Sequence, residues 1–394
     1  MKVLIIHNKY SHIGGEDTVV QNEFNLLKNN GIQVELCYFS NDTFIGFKGK
    51  IFSPISTIYN FKSAKKLDNL FSNNRPDVIH VHNLFYSASP SILYIAKKHK
   101  IPVIMTIHNY RLICPSATLL RNNNICELCT TKFFAYHSIK YKCFQDSYLK
   151  TFQLSSLIAI HKIIGTWRNY VDQYIFLTSF AKDKFVSSSF NIPTDKLTVK
   201  PNFVMDYGYD FNIPREKFFL FVGRLSKEKG IDFLLDAFSK TNLQLEIIGD
   251  GPLLQSVLHM CQNHPNIVYS GRRDASYIRE RMKICTALLF PSIWYEGLPM
   301  TILEAFSSGT PVIATNINNI NEIVKNGYNG HTFKQDNKEE FIEKLHYYII
   351  QQRFDLYINA RATYDELYSP DDNFSQLIKI YNDAINHKIF NVLS

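Results

Sequence analysis

Short apolar runs, each followed by an amphipathic stretch, recur along the 394-residue chain, and the series starts twice. Val3–His7, Val34–Phe39, Val78–His82, Val103–His108 and Tyr174–Thr178 read as strands. Thr18–Asn30 and Ser91–Lys98 between them carry apolar residues at helical spacing. The alternation begins again at Phe218–Gly223. It continues through helix 231–240, strand Leu245–Ile248, helix 253–263 and strands Ile267–Ser270 and Ala287–Pro291. Helix 299–308 and strand Pro311–Ala314 follow. Short, nearly all-apolar strands separated by helices can bury themselves only as a parallel sheet covered on both faces. The chain is therefore expected to be α/β, with two tandem Rossmann-like doubly wound domains. Such sheets bind ligands at the carboxyl ends of their strands, so two of them would face a cleft.

The stretch 191–217 has weak periodicity and holds Pro193, Pro201 and Pro214, which places the boundary there. The expected division is an N-terminal domain at 1–202, a C-terminal domain at 203–372, and a final helix at 373–394. Phe374, Leu377, Ile380 and Tyr381 share one face of that helix, as an element crossing back to the N-terminal domain would.

Composition narrows the function classes. With 45% hydrophobic and 20% charged residues, the chain has enough apolar material for two cores without staples. No run of 18 apolar residues occurs, and the opening MKVLIIHNKY is too short for a secretory core. A cytoplasmic protein is expected. The net charge of +8 is uneven: residues 1–205 hold 24 Lys+Arg against 12 Asp+Glu, whereas residues 206–394 hold 19 against 23. A basic first half suits an anionic membrane surface, a nucleic acid, or simply water. No aromatic–basic repeat or helix-turn-helix pattern supports nucleic acid. The membrane reading, peripheral association on the inner face of the cell membrane, has two candidate surfaces. One is Ile51–Leu70, with Lys62, Lys65 and Lys66; the other is Leu149–Tyr170.

Three strand-to-helix turns in the second half carry chemistry. Glu296-Gly297-Leu298-Pro299-Met-Thr-Ile-Leu-Glu304 follows the strand Ala287–Pro291. Pro299 suits a helix start and Gly309 its end, so Glu296 sits in the loop and Glu304 inside the helix. The helix N-terminus offers N–H groups to an anion, and the carboxylates can accept from sugar hydroxyls. Phe221-Val-Gly-Arg224-Leu-Ser-Lys-Glu-Lys229-Gly puts two cations at a strand's carboxyl end, where a diphosphate would be neutralised. Ile248-Gly249-Asp-Gly251-Pro is a tight turn at which backbone can approach a ligand. Each piece alone also suits a solvated loop.

Together and in this order, the Glu-x7-Glu element, the Gly-Arg-Leu-x-x-x-Lys-Gly loop and the Gly-Asp-Gly-Pro turn resemble glycosyltransferase family 4. Those are retaining enzymes of the GT-B architecture that use nucleotide-activated sugars. The run Gly309-Thr-Pro311-Val-Ile-Ala314 extends the likeness. In the first half Gly14-Gly15, Asp77-Val-Ile-His-Val-His82-Asn and Thr106-Ile-His108-Asn-Tyr-Arg resemble the family more loosely. The resemblance implies that Arg224 and Lys229 hold the donor diphosphate, Glu304 the ribose hydroxyls and Glu296 the transferred sugar. Gly297 and Leu298 accompany Glu296. Gly14 and Gly15 would bring backbone N–H groups to the diphosphate. His108, preferred over His82, would sit near the sugar. Gly249, Gly251, Gly271 and Arg272 would lie near the base, uridine being more common than guanosine.

The function so implied is transfer of a hexose or N-acetylhexosamine, with retention, from a nucleotide sugar to a saccharide acceptor on a lipid carrier, in cell-surface polysaccharide synthesis. A nucleotide-sugar epimerase and a non-catalytic nucleotide-sugar binder are the alternatives. No Asp-x-Asp motif occurs, so no metal is expected in catalysis. Cys114, Cys126, Cys129 and Cys143 within the loop 114–143 are spaced as a structural zinc site would be, or as four unmetallated thiols. Cys37, Cys261 and Cys285 read as small core residues.

Overall fold

The computed structural model describes residues 1–9, 14–41, 56–351 and 353–393. The chain divides into two compact units. The first comprises residues 1–118, 127–202 and 373–394, and the second residues 119–126 and 203–372.

The first unit is built on a parallel sheet of β1 (Lys2–Lys9), β2 (Gln33–Ser40), β3 (Val78–Asn83), β4 (Val103–Ile107), β7 (Gln173–Phe176) and β8 (Leu197–Val199). The intervening β5 (Leu120–Arg121) and β6 (Asn124–Ile125) form a separate two-residue hairpin. The order is β2-β1-β3-β4-β7-β8. Strands β3 and β4 are buried along their whole length, as a sheet covered on both faces requires. On one face Val3, Ile5, Val78, Ile104 and Ile175 meet Val20 and Leu27 of the helix Gly15–Asn29. The same core takes in Leu377, Ile380, Tyr381 and Ala384. These lie on the helix Pro370–Leu393, whose residues from 373 belong to this unit.

The second unit repeats the plan. Its sheet comprises β9 (Phe218–Val222), β10 (Gln244–Ile248), β11 (Ile267–Gly271), β12 (Ala287–Phe290), β13 (Val312–Thr315) and β14 (Gly330–Phe333). All pairings are parallel, in the order β11-β10-β9-β12-β13-β14. In each sheet the strand order reverses beside the first strand, between β1 and β3 and between β9 and β12. The carboxyl ends of those strands define the crevice in which a doubly wound sheet takes its ligand.

The strands expected from periodicity are present, with ends shifted by one or two residues. Of the strands in the two parallel sheets, two escaped it. β8 lies in the proline-bearing stretch read as a linker; its three residues are too short for a pattern of their own. β14 begins with Gly330, where a Cβ would fall 2.2 Å from the carbonyl oxygen of Val312 on the neighbouring strand. Of the two stretches read as membrane surfaces, residues 51–55 lie outside the described residues.

Candidate active site

Backbone geometry alone brings the β9 and β12 loops together. After β9 the chain makes one 3-10 turn, Lys227–Lys229, and then Gly230 adopts φ 73°. A Cβ on Gly230 would lie 2.1 Å from the carbonyl oxygen of Pro291, so only glycine allows this approach. Ile293 N donates to Glu228 O at 3.0 Å and Ser292 Oγ to the same carbonyl at 3.2 Å. These bonds clamp the chain leaving β12 against the chain leaving β9.

Lys229 and Glu296 meet within that clamp. Lys229 Nζ is 2.6 Å from Glu296 Oε1, which also accepts from Ser292 Oγ at 2.8 Å and Trp294 Nε1 at 2.6 Å. Asn319 Nδ2 donates to the Glu296 backbone carbonyl at 2.7 Å. All three side-chain donors converge on one oxygen of a carboxylate that is itself buried. Leu298 is buried beneath the same loop. Gly297 is half-buried, and Arg224, at the mouth of β9, is exposed.

The helix Met300–Ser307 starts after Pro299, and Glu304 lies one turn inside it. Tyr207 Oη donates to Glu304 Oε1 at 3.1 Å. Burial raises the Glu304 carboxyl above its ordinary value; the Tyr207 hydrogen bond and the charge of Arg279 oppose the rise. Burial first, and then the neighbouring Glu304 carboxylate, push the Tyr207 phenol well up. The Arg279 guanidinium stands over the Tyr207 ring, 4.9 Å from its centroid.

The turns after β10 and β11 are stitched to β9. Gly223 N donates to Ile248 O at 3.0 Å, Leu225 N to Asp250 O at 2.9 Å and Gly249 N to Gly271 O at 3.0 Å. Gly249 has φ 148°, and a Cβ there would fall 1.8 Å from Gly223 O. At Gly251 it would fall 2.5 Å from Leu225 O. Gly271 has φ 76°, with Arg272 exposed beside it. Gly249 and Gly251 are thus required by loop-to-loop contact inside the protein.

In the first unit, Gly14 N donates to Asp17 Oδ2 at 2.9 Å, and Asp17 Oδ1 is 2.9 Å from His7 Nε2. The Gly14 N–H is thus engaged by the helix cap. Gly15, at the first turn of that helix, is exposed, and a Cβ on it would meet nothing within 4 Å. His108 follows β4 and is half-buried; its Nε2 lies 2.8 Å from Nδ1 of the buried His82. His82 is a satisfied buried histidine, and burial carries its pKa down to about 4. With Asn109 and Arg111, the two histidines line a small cavity at the ends of β3 and β4.

The three cysteines of the expected site that lie in the first unit do not form a ligand group by themselves. Among the described residues, the group of three or more possible metal-binding side chains with ligand atoms within 4.8 Å of one another is Glu23, His80 and His82. Cys114, Cys129 and Cys143, all in the first unit, form no such group; Cys114 Sγ is instead 3.1 Å from Ser116 Oγ. Spacing along the chain could not reveal this, because a loop's path sets sulfur separations. Of the other cysteines, Cys37 and Cys285 are buried and Cys261 is half-buried.

Residues 13–205 match the family described as Glycosyltransferase Family 4, and residues 210–363 match Glycosyl transferases group 1. The chain belongs to glycosyltransferase family 4. Among its relatives is the Escherichia coli UDP-Gal:alpha-D-GlcNAc-diphosphoundecaprenol alpha-1,3-galactosyltransferase, 24% identical over 84% of each chain. The E. coli O-antigen chain mannosyltransferase C is 20% identical over 98% of this chain and 100% of the relative. Among solved structures, Anabaena HepE in complex with UDP superposes with a TM-score of 0.67 at 15% identity, covering 97% of this chain and 100% of that one. The architecture is GT-B, and this family 4 protein is a glycosyltransferase with a nucleotide-sugar donor. That sets aside the epimerase alternative. Tyr207, Arg279, Ser292, Trp294 and Asn319, which support the two glutamates, escaped the sequence reading. Tyr207 lies in the stretch read as a linker, and the others sit at no recognisable spacing from their partners.

Proposed function

We propose that the protein transfers a hexose or N-acetylhexosamine, with retention of anomeric configuration, from a uridine diphosphate sugar to a lipid-linked saccharide in cell-surface polysaccharide synthesis. The observation that carries this reading is the Lys229–Glu296 pair at the switch point of the second sheet, beside the helix that bears Glu304. Lys229 and Arg224 would neutralise the diphosphate and stabilise the charge that develops as it leaves, the usual route to a lower barrier for phosphate departure. Its first-turn N–H groups add positive potential there. The recorded contacts of Glu296 fall on Oε1, which leaves Oε2 for a hydroxyl of the transferred sugar. Glu304, ionised, accepts from the ribose. Two cations and a helix terminus do the work that a divalent ion does elsewhere, so EDTA should leave transfer intact.

The UDP specificity is supported by the named donor of the E. coli galactosyltransferase and by the UDP held in the HepE structure. The lipid-linked acceptor is supported by the diphosphoundecaprenol in the former's name. Among the described residues no helix is long and apolar enough to cross a membrane. The first unit carries an exposed apolar and basic patch on two helices, Tyr136–Lys140 and Tyr148–Ile163. Ser138 Oγ and Ser155 Oγ link them at 3.2 Å. Tyr136, Tyr148, Leu149 and Phe152 are exposed there, with Lys140 and Lys150 alongside. Aromatic rings among lysines suit an anionic bilayer interface.

A thermal-shift panel of UDP-galactose, UDP-glucose, UDP-N-acetylglucosamine and GDP-mannose tests the donor. A ligand at 100 times its Kd adds about 2.7 kcal/mol, so one UDP-sugar should stand out. NMR of the transferred sugar's anomeric coupling reads the stereochemistry. Stabilisation by the guanosine sugar alone, or an inverted product, would overturn the proposal.

A further inference from the structure

The first unit holds a buried polar chain that runs from Glu23 through His82 to His108. In the helix Gly15–Asn29, Glu23 occupies the core-facing stripe with Val19, Val20, Leu26 and Leu27. His80 and His82, two apart on β3, project from the same face of the sheet. Glu23 Oε1 is 2.7 Å from His80 Nδ1 and 3.2 Å from His82 Nε2, and Glu23 Oε2 is 3.9 Å from Lys200 Nζ. His80 is further held by Tyr381 Oη at 2.7 Å from Nδ1 and Thr106 Oγ1 at 2.7 Å from Nε2. From His82 the chain continues outward through Nδ1 to His108 Nε2 at 2.8 Å, with the two rings stacked 5.1 Å apart.

The protons in this chain can be assigned. Burial alone would raise the Glu23 carboxyl, but the neighbouring histidines reverse that and hold it well below its ordinary value. An ionised carboxylate only accepts, so His82 Nε2 carries a hydrogen and donates. Burial keeps His82 neutral, so its Nδ1 holds a lone pair and accepts. His108 Nε2 must then be the donor. Burial also holds His108 well below the ordinary imidazole pKa, so it too is neutral and its Nδ1 is bare.

We propose that Glu23, acting through His82, fixes His108 in the Nε2–H tautomer, so that His108 presents Nδ1 as a hydrogen-bond acceptor to a hydroxyl of the transferring sugar or the acceptor. Glu23 and His82 are positioning residues in this scheme. The use of the acceptor rests on the reading that His108 meets substrate; the tautomer does not. Tautomer selection matters because a ring with a hydrogen at Nδ1 would present a donor where a hydroxyl must donate. A flipped ring would cost one substrate hydrogen bond.

Two-bond proton–nitrogen NMR on the full chain labelled with 15N-histidine reads each ring's tautomer. Loss of one signal set in His108→Gln identifies His108. The wild-type spectrum should show a hydrogen on Nε2 and none on Nδ1. Glu23→Gln should invert this, because its amide can donate to His82 Nε2 and pass the reversal to His108. Transfer should then fall about tenfold in kcat, the worth of one hydrogen bond, with donor KM little changed. Tyr381→Phe removes a hydroxyl that meets His80 and Glu23 but keeps the Glu23 carboxylate on His82 Nε2, and should leave the tautomer as it is. A wild-type His108 with hydrogen on Nδ1, or an unchanged tautomer in Glu23→Gln, overturns the proposal. If Glu23→Gln does not fold, the wild-type spectrum still decides. Full activity in His108→Ala would instead defeat the substrate reading and leave the tautomer assignment standing.

Discussion

On the proposed reading the Lys229 ammonium serves two partners, Glu296 and the diphosphate of the donor. Lys229→Ala should therefore weaken donor binding and turnover together. Loss of a charge-assisted contact costs about 1.5–3 kcal/mol, so kcat/KM should fall roughly tenfold to 150-fold. Arg224→Ala should act in the same direction with no loss of stability, since the side chain is exposed. Steady-state kinetics and melting curves check both, and wild-type kinetics in both variants would refute the phosphate assignment. Glu304 makes a separate prediction about pH. Its carboxyl is raised by burial, so it takes up a proton at a higher pH than an ordinary glutamate. If Glu304 holds the ribose as proposed, its protonated form loses acceptor capacity there. Nucleotide affinity should thus decline as pH falls toward that raised value, and Glu304→Gln should flatten the profile and lower affinity at neutral pH. Isothermal titration with UDP across a pH series would show it.

At the scale of elements, the loops of the second unit are held by contacts that tolerate no side chain. Gly249→Ala would drive a Cβ to 1.8 Å from Gly223 O at a φ of 148°. Left-handed strain alone costs about 1–3 kcal/mol, and the clash adds to it. The variant should lose at least about 2 kcal/mol in urea unfolding; a change below about 0.5 kcal/mol would contradict the loop geometry. The helix Pro370–Leu393 makes a second case. Leu377 and Tyr381 are fully buried in the core of the first unit, and each such side chain is worth about 1.5–3 kcal/mol. Deleting residues 373–394 should leave the first unit unfolded or aggregation-prone, as loss of its protease resistance would show. The sequence showed an amphipathic helix here but not what Tyr381 touches, because a hydrogen bond to His80, 301 positions away, leaves no local trace.

For the whole molecule, acid should be destabilising well above the range of carboxylate titration. His82 and His161 are buried, and burial lowers each pKa to about 4. The unfolded chain binds their protons near pH 6.5, and the folded one only near pH 4. Stability is therefore present above pH 6.5 and is lost as pH falls from 6.5 toward 4. Each histidine contributes a slope approaching about 1.4 kcal/mol per pH unit in that window. Urea melts at pH 7, 6 and 5 should show the decline, reduced in His161→Gln; a flat profile would contradict it. The excess of cations in residues 1–205, with the exposed Tyr136–Phe152 patch, should give salt-reversible binding to anionic vesicles. Screening over about 8 Å at physiological salt makes sedimentation at two ionic strengths the deciding measurement. Pelleting with neutral and anionic lipid alike would remove the electrostatic reading.

The sequence by itself determined the two parallel sheets, because period and length of apolar runs are local properties. It also determined the candidate cations and carboxylates, because Arg224, Lys229, Glu296 and Glu304 stand beside turns that glycine and proline mark. It did not determine which of these touch. Lys229 reaches Glu296 only because Gly230 lets two loops approach, and Glu304 is held by Tyr207 from a stretch without pattern. The same limit holds for the cysteines, whose spacing does not say which sulfurs meet. It also explains Glu23, which sits in an apolar stripe as though it were a core residue. Only the tertiary structure placed two histidines of β3 opposite it, since partners distant in sequence are chosen by packing, and packing has no period.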